Sequence, residues 1–161
     1  MSGAKTLYRE DVLAWSKEQA EALRSASRGG SNQDLDWENL AEEIESVGIS
    51  ERRELRSQIQ RIILHLLKLE FSPASLPREG WIDSVDDGRA RVDYTLGSSP
   101  SLKGEMDDAV AKGMVRAARK AIRELRERGE LDTALTARIQ AAAYTAEQIL
   151  DGDWFPPEPQ P

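Results

Sequence analysis

Apolar residues recur along this chain at intervals of three and four, and almost nowhere at intervals of two. That spacing gathers them on one side of a helix turning about 100° per residue, and it leaves a sheet little to build from. A first helix is predicted from about Glu10 to Ser25, with Val12, Trp15, Gln19, Ala22 and Leu23 near one face. "SASRGGSNQD" then breaks the pattern, and its paired glycines beside Ser and Asn predict a mobile loop. The stretch "LDWENLAEEIESVG" reads as a second, short helix. Asp36 fits its N-cap, and Leu35 and Leu40 can form a hydrophobic staple. Glu38 suits the positive helix end. Gly48 fits the stop, with Ile49 packing back on Ile44.

Ser50 opens a third helix that runs to about Phe71, ahead of Pro73. Its seam of Leu55, Ile59, Ile62, Leu66 and Leu69, widened by Ile63 and Leu67, is the most apolar in the chain and marks the centre of the core. A fourth helix covers about Trp81 to Leu96, with Trp81, Val85, Gly88, Val92 and Leu96 facing inward. Ser99 as N-cap and Pro100 at the first helical position open a fifth, from about Ser101 to Arg128. Met106, Val110, Met114, Ala117, Ala121 and Leu125 line one side of it, and its alanines allow a neighbour to approach closely. Gly129 ends it. A last helical stretch spans about Thr133 to Leu150, and Thr145 with Gln148 can form a capping box that breaks it near Tyr144. Trp154 and Phe155 dock on the body, and the prolines of "PPEPQP" do not fold. The expectation is an all-α, single-domain bundle of five to six mostly antiparallel helices over residues 1–155, with a Pro-rich tail at 156–161.

Composition narrows the chemistry. The 161 residues include no cysteine, which excludes thiolate catalysis, disulfides and sulfur-ligated zinc. A net charge of -7 argues against nucleic acid and anionic lipid as partners. No run of about 20 apolar residues is present to span a membrane. The start of the chain does not read as a secretory signal, so the cytoplasm is the expected location. The GxSxG, HExxH and Gly-rich phosphate-loop patterns are absent.

Several blocks in order carry a resemblance. "LYREDVLAWSKEQAEALR", "LDWENLAEEIESVG", "HLLKLEFSP", "SPSLK" and the closing "YTAEQILDGDWFP" are similar to a bacterial family known as domain-of-unknown-function family 29. Matching positions include Trp15, Asp36, Trp37, Glu42 to Glu45, Gly48, His65 to Lys68, Trp81 and Ser99 to Leu102. The resemblance covers nearly the whole chain and implies an all-helical domain with no assigned activity. Residues 130–143 depart from it: alanine-rich helical sequence stands where the family implies a loop with "FP" and "CP" elements.

Two groups of residues are candidates for function. The first is acid–base or metal chemistry through Asp36, Glu43 and His65, the chain's single histidine. Glu43 lies about 70° from the inward direction of the second helix, whereas Glu42 points outward and Glu45 flanks the other side. One helix therefore does not aim all three glutamates at one ion. A hard divalent cation held by oxygens alone stays compatible, and no cofactor is evident. With a hairpin at Gly48, Asp36 falls within about one turn of the level of His65, while Glu42 and Glu43 are about 15–20 Å from that level. Asp36 is thus the preferred partner of His65, with Asp83, Asp86, Asp87 or Asp93 available to complete the site. The structural alternative is an ordinary capping aspartate and a boundary histidine bonded to a carbonyl. The second group is a basic row on the fifth helix: Lys112, Arg116, Arg119, Lys120, Arg123 and Arg126 occupy one sector of about 120° opposite its apolar side. It is either a solvated face or a docking surface for an acidic protein. The leading expectation is a non-catalytic protein-interaction module, or one that self-associates through its alanine-lined helices. The alternative is a small metal-dependent or acid–base enzyme.

Overall fold

The computed structural model describes residues 3–30 and 34–159. Among them every regular element is helical: α1 (Gly3–Glu10), α2 (Val12–Arg28), α3 (Trp37–Phe71), α4 (Arg78–Ser98), a 3-10 segment (Pro100–Glu105), α5 (Met106–Glu127), α6 (Thr133–Ala141) and α7 (Ala146–Leu150). The loop expected around residues 25–34 falls partly outside the described residues, at 31–33, and α2 takes its first four residues, through Arg28. The tail expected at 156–161 ends at two residues outside the described range, and within that range Pro156 is buried.

The largest departure from the sequence pattern is α3. It runs unbroken for 35 residues, so the stop expected at Gly48 does not exist. Gly48 is instead a contact glycine. A Cβ there would lie 2.4 Å from Ser16 Oγ and 2.6 Å from Leu13 Cδ1, so its missing side chain lets α2 approach α3. The buried face of this part of α3 holds Ala41 and Gly48, one residue round from the expected stripe, while Leu40 and Val47 are 42% and 39% exposed. Leu35 is exposed too, so no buried staple forms with Leu40. Ile49 is exposed, as a residue in mid-helix can be, and makes no helix-ending turn. Asp36 does cap the helix: Oδ1 accepts the Asn39 N–H at 3.3 Å, and Oδ2 accepts the Asn39 amide at 2.6 Å.

By contact density the chain forms two compact units, Met1–Glu54 with Tyr94–Gly104, and Leu55–Asp93 with Glu105–Pro161. The first unit gathers α1, α2, the start of α3 and the "GSSPSLK" segment. The first predicted helix corresponds to α2, and α1 before it is an element the apolar spacing does not predict. Between them stands Asp11, whose extended backbone ends α1 and whose carboxylate caps α2 by accepting the Ala14 N–H at 2.8 Å. The same carboxylate accepts the Ser101 N–H at 2.6 Å. Leu13 has an N–H that its own helix leaves unpaired, and it donates to Ser99 Oγ at 3.3 Å. Ser98 and Ser99 both donate to Glu51, at 2.7 and 3.1 Å. Ser99 is fully buried and spends its hydroxyl on this network. It does not cap the fifth helix, because the 3-10 segment intervenes and α5 starts only at Met106. Tyr8 meets Trp15 edge to face at 4.8 Å.

The second unit holds the larger core. Leu55, Ile59, Ile62, Ile63, Leu66 and Leu67 of α3 are sealed, as are Val85 and Val92 of α4 and Ala117, Ala121 and Leu125 of α5. Gly88 makes room for Ile62, whose Cγ1 would be 2.7 Å from an added Cβ. Gly129 does end α5. With φ at 72°, it donates to the Arg126 carbonyl, while the Glu130 N–H reaches the Leu125 carbonyl at 2.9 Å. That pair of bonds is the Schellman ending, which glycine adopts without Cβ strain. α6 occupies the divergent 130–143 stretch, as its alanine-rich pattern predicts. The break at Tyr144 is present, and Thr145 and Gln148 form the reciprocal capping box that starts α7. Past α7 the chain is held by Arg89. Its guanidinium donates to the carbonyls of Ile149 at 2.9 Å, Gln148 at 3.2 Å and Trp154 at 2.7 Å, and stacks 4.9 Å from the Phe155 ring.

Candidate functional site

Asp36, Glu43 and His65 are not gathered by any hairpin. Asp36 and Glu43 belong to the first unit and His65 to the second. The level-matching that joined Asp36 to His65 required a turn at Gly48, and α3 has none there. Asp36 spends both carboxylate oxygens on Asn39. Glu43 is exposed, as is Glu42, whereas Glu45 is half-exposed and pairs with Arg24 at 2.7 Å. Among the described residues no three acids or histidines converge to hold a metal ion.

His65 has a different neighbourhood. It lies on the outer edge of the core seam of α3, one turn before Lys68. The Lys68 ammonium is almost wholly buried and forms an ion pair with Glu124 of α5 at 2.8 Å, 5.3 Å from the centre of the Trp81 ring. Burial, reinforced by the positive charges of Lys68 and Arg61, lowers the His65 pKa to about 4, with Glu124 opposing and Lys120 adding to the fall. The imidazole is therefore neutral near pH 7. Its Nδ1 is buried without a hydrogen-bond partner, an unusual state for a buried polar atom. Burial alone would raise the Glu124 carboxyl, but the Lys68 hydrogen bond and the charges of Lys68 and Lys120 outweigh it and hold it below the usual range.

Ser57, Gln60, Arg61, Leu64 and His65 of α3 and Lys120 of α5 line a cleft of about 350 Å³ at this edge. Arg61 is legible in the sequence as a same-side neighbour of His65, four residues away on one helix. Its closeness to Lys120 is not, because that depends on α3 and α5 lying side by side.

The basic row of α5 takes the orientation its periodicity predicts. Arg116, Arg119, Lys120 and Arg123 are exposed, while Ala117, Ala121 and Leu125 are sealed inside. Lys112 is neutralised by Asp108 at 2.8 Å. The alanine-lined side of α5 is consumed by the unit's own core, so self-association through it has no surface to use.

The elements and this geometry define an all-helical protein in which no helix among the described residues is long and apolar enough to cross a membrane. The chain belongs to the family described as Domain of unknown function DUF29, whose model matches residues 7–155. The crystal structure of an alpha-helical protein of unknown function from Rhodospirillum rubrum is similar, with a TM-score of 0.73 at 28% identity over 91% of this chain and 90% of that one. None of the curated proteins matches.

Proposed function

We propose that this chain is a non-catalytic helical interaction module, and that α5 is its docking face for an acidic segment of another protein. The observation that supports this reading is the row of Arg116, Arg119 and Arg123. All three are exposed and without an ion-pair partner among the described residues, on a helix whose opposite side is locked in a core. Guanidinium groups three and four residues apart on a helix are adjacent, and each takes a carboxylate through two parallel hydrogen bonds. Charge complementarity thus fits a partner with carboxylates at helical spacing. No aromatic side chain interleaves with the arginines to stack on bases, which disfavours single-stranded nucleic acid. No observation favours the acid–base alternative through Asp36, Glu43 and His65.

Fluorescence anisotropy tests the reading, using a labelled peptide with glutamates at helical spacing and a duplex DNA of equal charge. Saturable peptide binding is expected, weakening as salt rises and lost when Arg116, Arg119 and Arg123 are all changed to Glu. Unchanged peptide binding by that triple variant overturns the proposal. So does tighter binding of the duplex than of the peptide.

A further inference from the structure

The cleft beside His65 has the chemistry of an anion site. Its lining contains a guanidinium, an ammonium, a hydroxyl, an amide and an imidazole, and no carboxylate. Every one of these groups can donate a hydrogen bond. Arg61 forms no ion pair among the described residues. Lys120 reaches Glu124 only at 4.0 Å, and that carboxylate is already held by Lys68 at 2.8 Å. Arg61 thus has no counter-charge among the described residues, and Lys120 shares Glu124 with Lys68, in a protein with a net charge of -7.

We propose that this cleft binds a tetrahedral phosphate, free or as a monoester, between Arg61 and His65 of α3 and Lys120 of α5. A phosphate dianion offers acceptors in several directions and matches donors arriving from two helices, and arginine engages such oxygens through two bonds at once. A planar carboxylate would use fewer of them. The volume of about 350 Å³ exceeds what a bare phosphate fills, and the buried Leu64 gives a small ester group an apolar wall. Bound negative charge also offsets the groups that keep the His65 ring neutral. Those facing it are Arg61 and Lys68 on its own helix and Lys120 on α5, with Glu124 of α5 opposing them.

His65, as the only histidine, gives a ring NMR signal that needs no assignment. Inorganic phosphate is titrated into the full chain at ionic strength held constant with chloride. A saturable shift of the His65 resonances is expected, together with a rise of its pKa from about 4. Arg61→Gln and Lys120→Gln change side chains outside the core, and each should weaken binding by about tenfold or more. A phosphoserine peptide identifies the source: tighter binding than inorganic phosphate assigns the ester, and equal binding the free ion. The proposal is overturned if phosphate gives no saturable shift. It is also overturned if acetate binds as tightly, or if both variants keep native circular dichroism and bind phosphate as the parent does.

Discussion

At the scale of single residues, His65 and Lys68 show how one turn of helix gives two buried polar groups different surroundings. Lys68 meets Glu124 in an ion pair at 2.8 Å, whereas burial, with the positive charges of Lys68 and Arg61, drives His65 neutral. The sign of the pH effect follows. Above about pH 6.5 the ring is neutral in both the folded and unfolded chain. Between there and about pH 4 the unfolded chain holds a proton that the folded one refuses. Folding stability should therefore fall as pH falls from 6.5 to 4. His65 is only partly buried, so solvent screening reduces the effect below its full linkage value. Urea unfolding at pH 7 and pH 5, compared between the parent and His65→Gln, checks this. The variant should lose less stability on acidification, and an equal loss in both would remove His65 as a source. In the sequence His65 was legible as a boundary residue from its angle to the apolar seam. Its charge state was not, because that depends first on how deeply neighbouring elements bury the ring, and then on the nearby charges.

At the scale of elements, two glycines that look alike in sequence have opposite roles. Gly129 ends a helix in the left-handed region, and Gly48 sits within one, pressed against Leu13 and Ser16. Both follow an apolar-periodic segment, and the local pattern does not separate a glycine that stops a helix from one that admits a neighbour. The neighbour decides, and it lies 32 residues upstream at Ser16. The same ambiguity removed the hairpin from which the Asp36–His65 pairing was argued. Where capping chemistry was fully local, as at Thr145 and Gln148, the sequence was sufficient. Alanine substitution makes the distinction measurable. Gly48→Ala should destabilise by about 1–3 kcal/mol through overpacking. Gly80→Ala, on α4 with nothing within 4 Å of the new Cβ, should stabilise by about 0.5–1 kcal/mol through backbone entropy. Thermal melts showing both variants shifted the same way would contradict this account of Gly48.

At the scale of the whole molecule, the fold class and the sealed seam of Leu55 to Leu69 were readable because they repeat over many turns, which no single exception disturbs. Long-range polar links were not readable. Ser99 to Leu13, Asp11 to Ser101 and Arg89 to the carbonyls beyond α7 each join residues with no shared local pattern. Arg89 is the most demanding of them, since burial disfavours its charge, against the pull of Asp86 and Asp151, while its fork serves several carbonyls at once. Lysine cannot reproduce that planar fork. Arg89→Lys should cost about 2–4 kcal/mol and red-shift the fluorescence of Trp154 as the segment after α7 loosens. A variant with unchanged urea midpoint and emission would show that the fork is dispensable.

The acceptors of Arg89 lie 59 to 65 residues further along the chain. During translation α4 therefore leaves the ribosome well before any atom able to satisfy that guanidinium has been made. In the interval the guanidinium has none of those acceptors to meet. That set of bonds can be completed only after Trp154 has been added. A nascent chain stalled within α6 would carry Arg89 with none of those carbonyls yet made, however complete the helices before it.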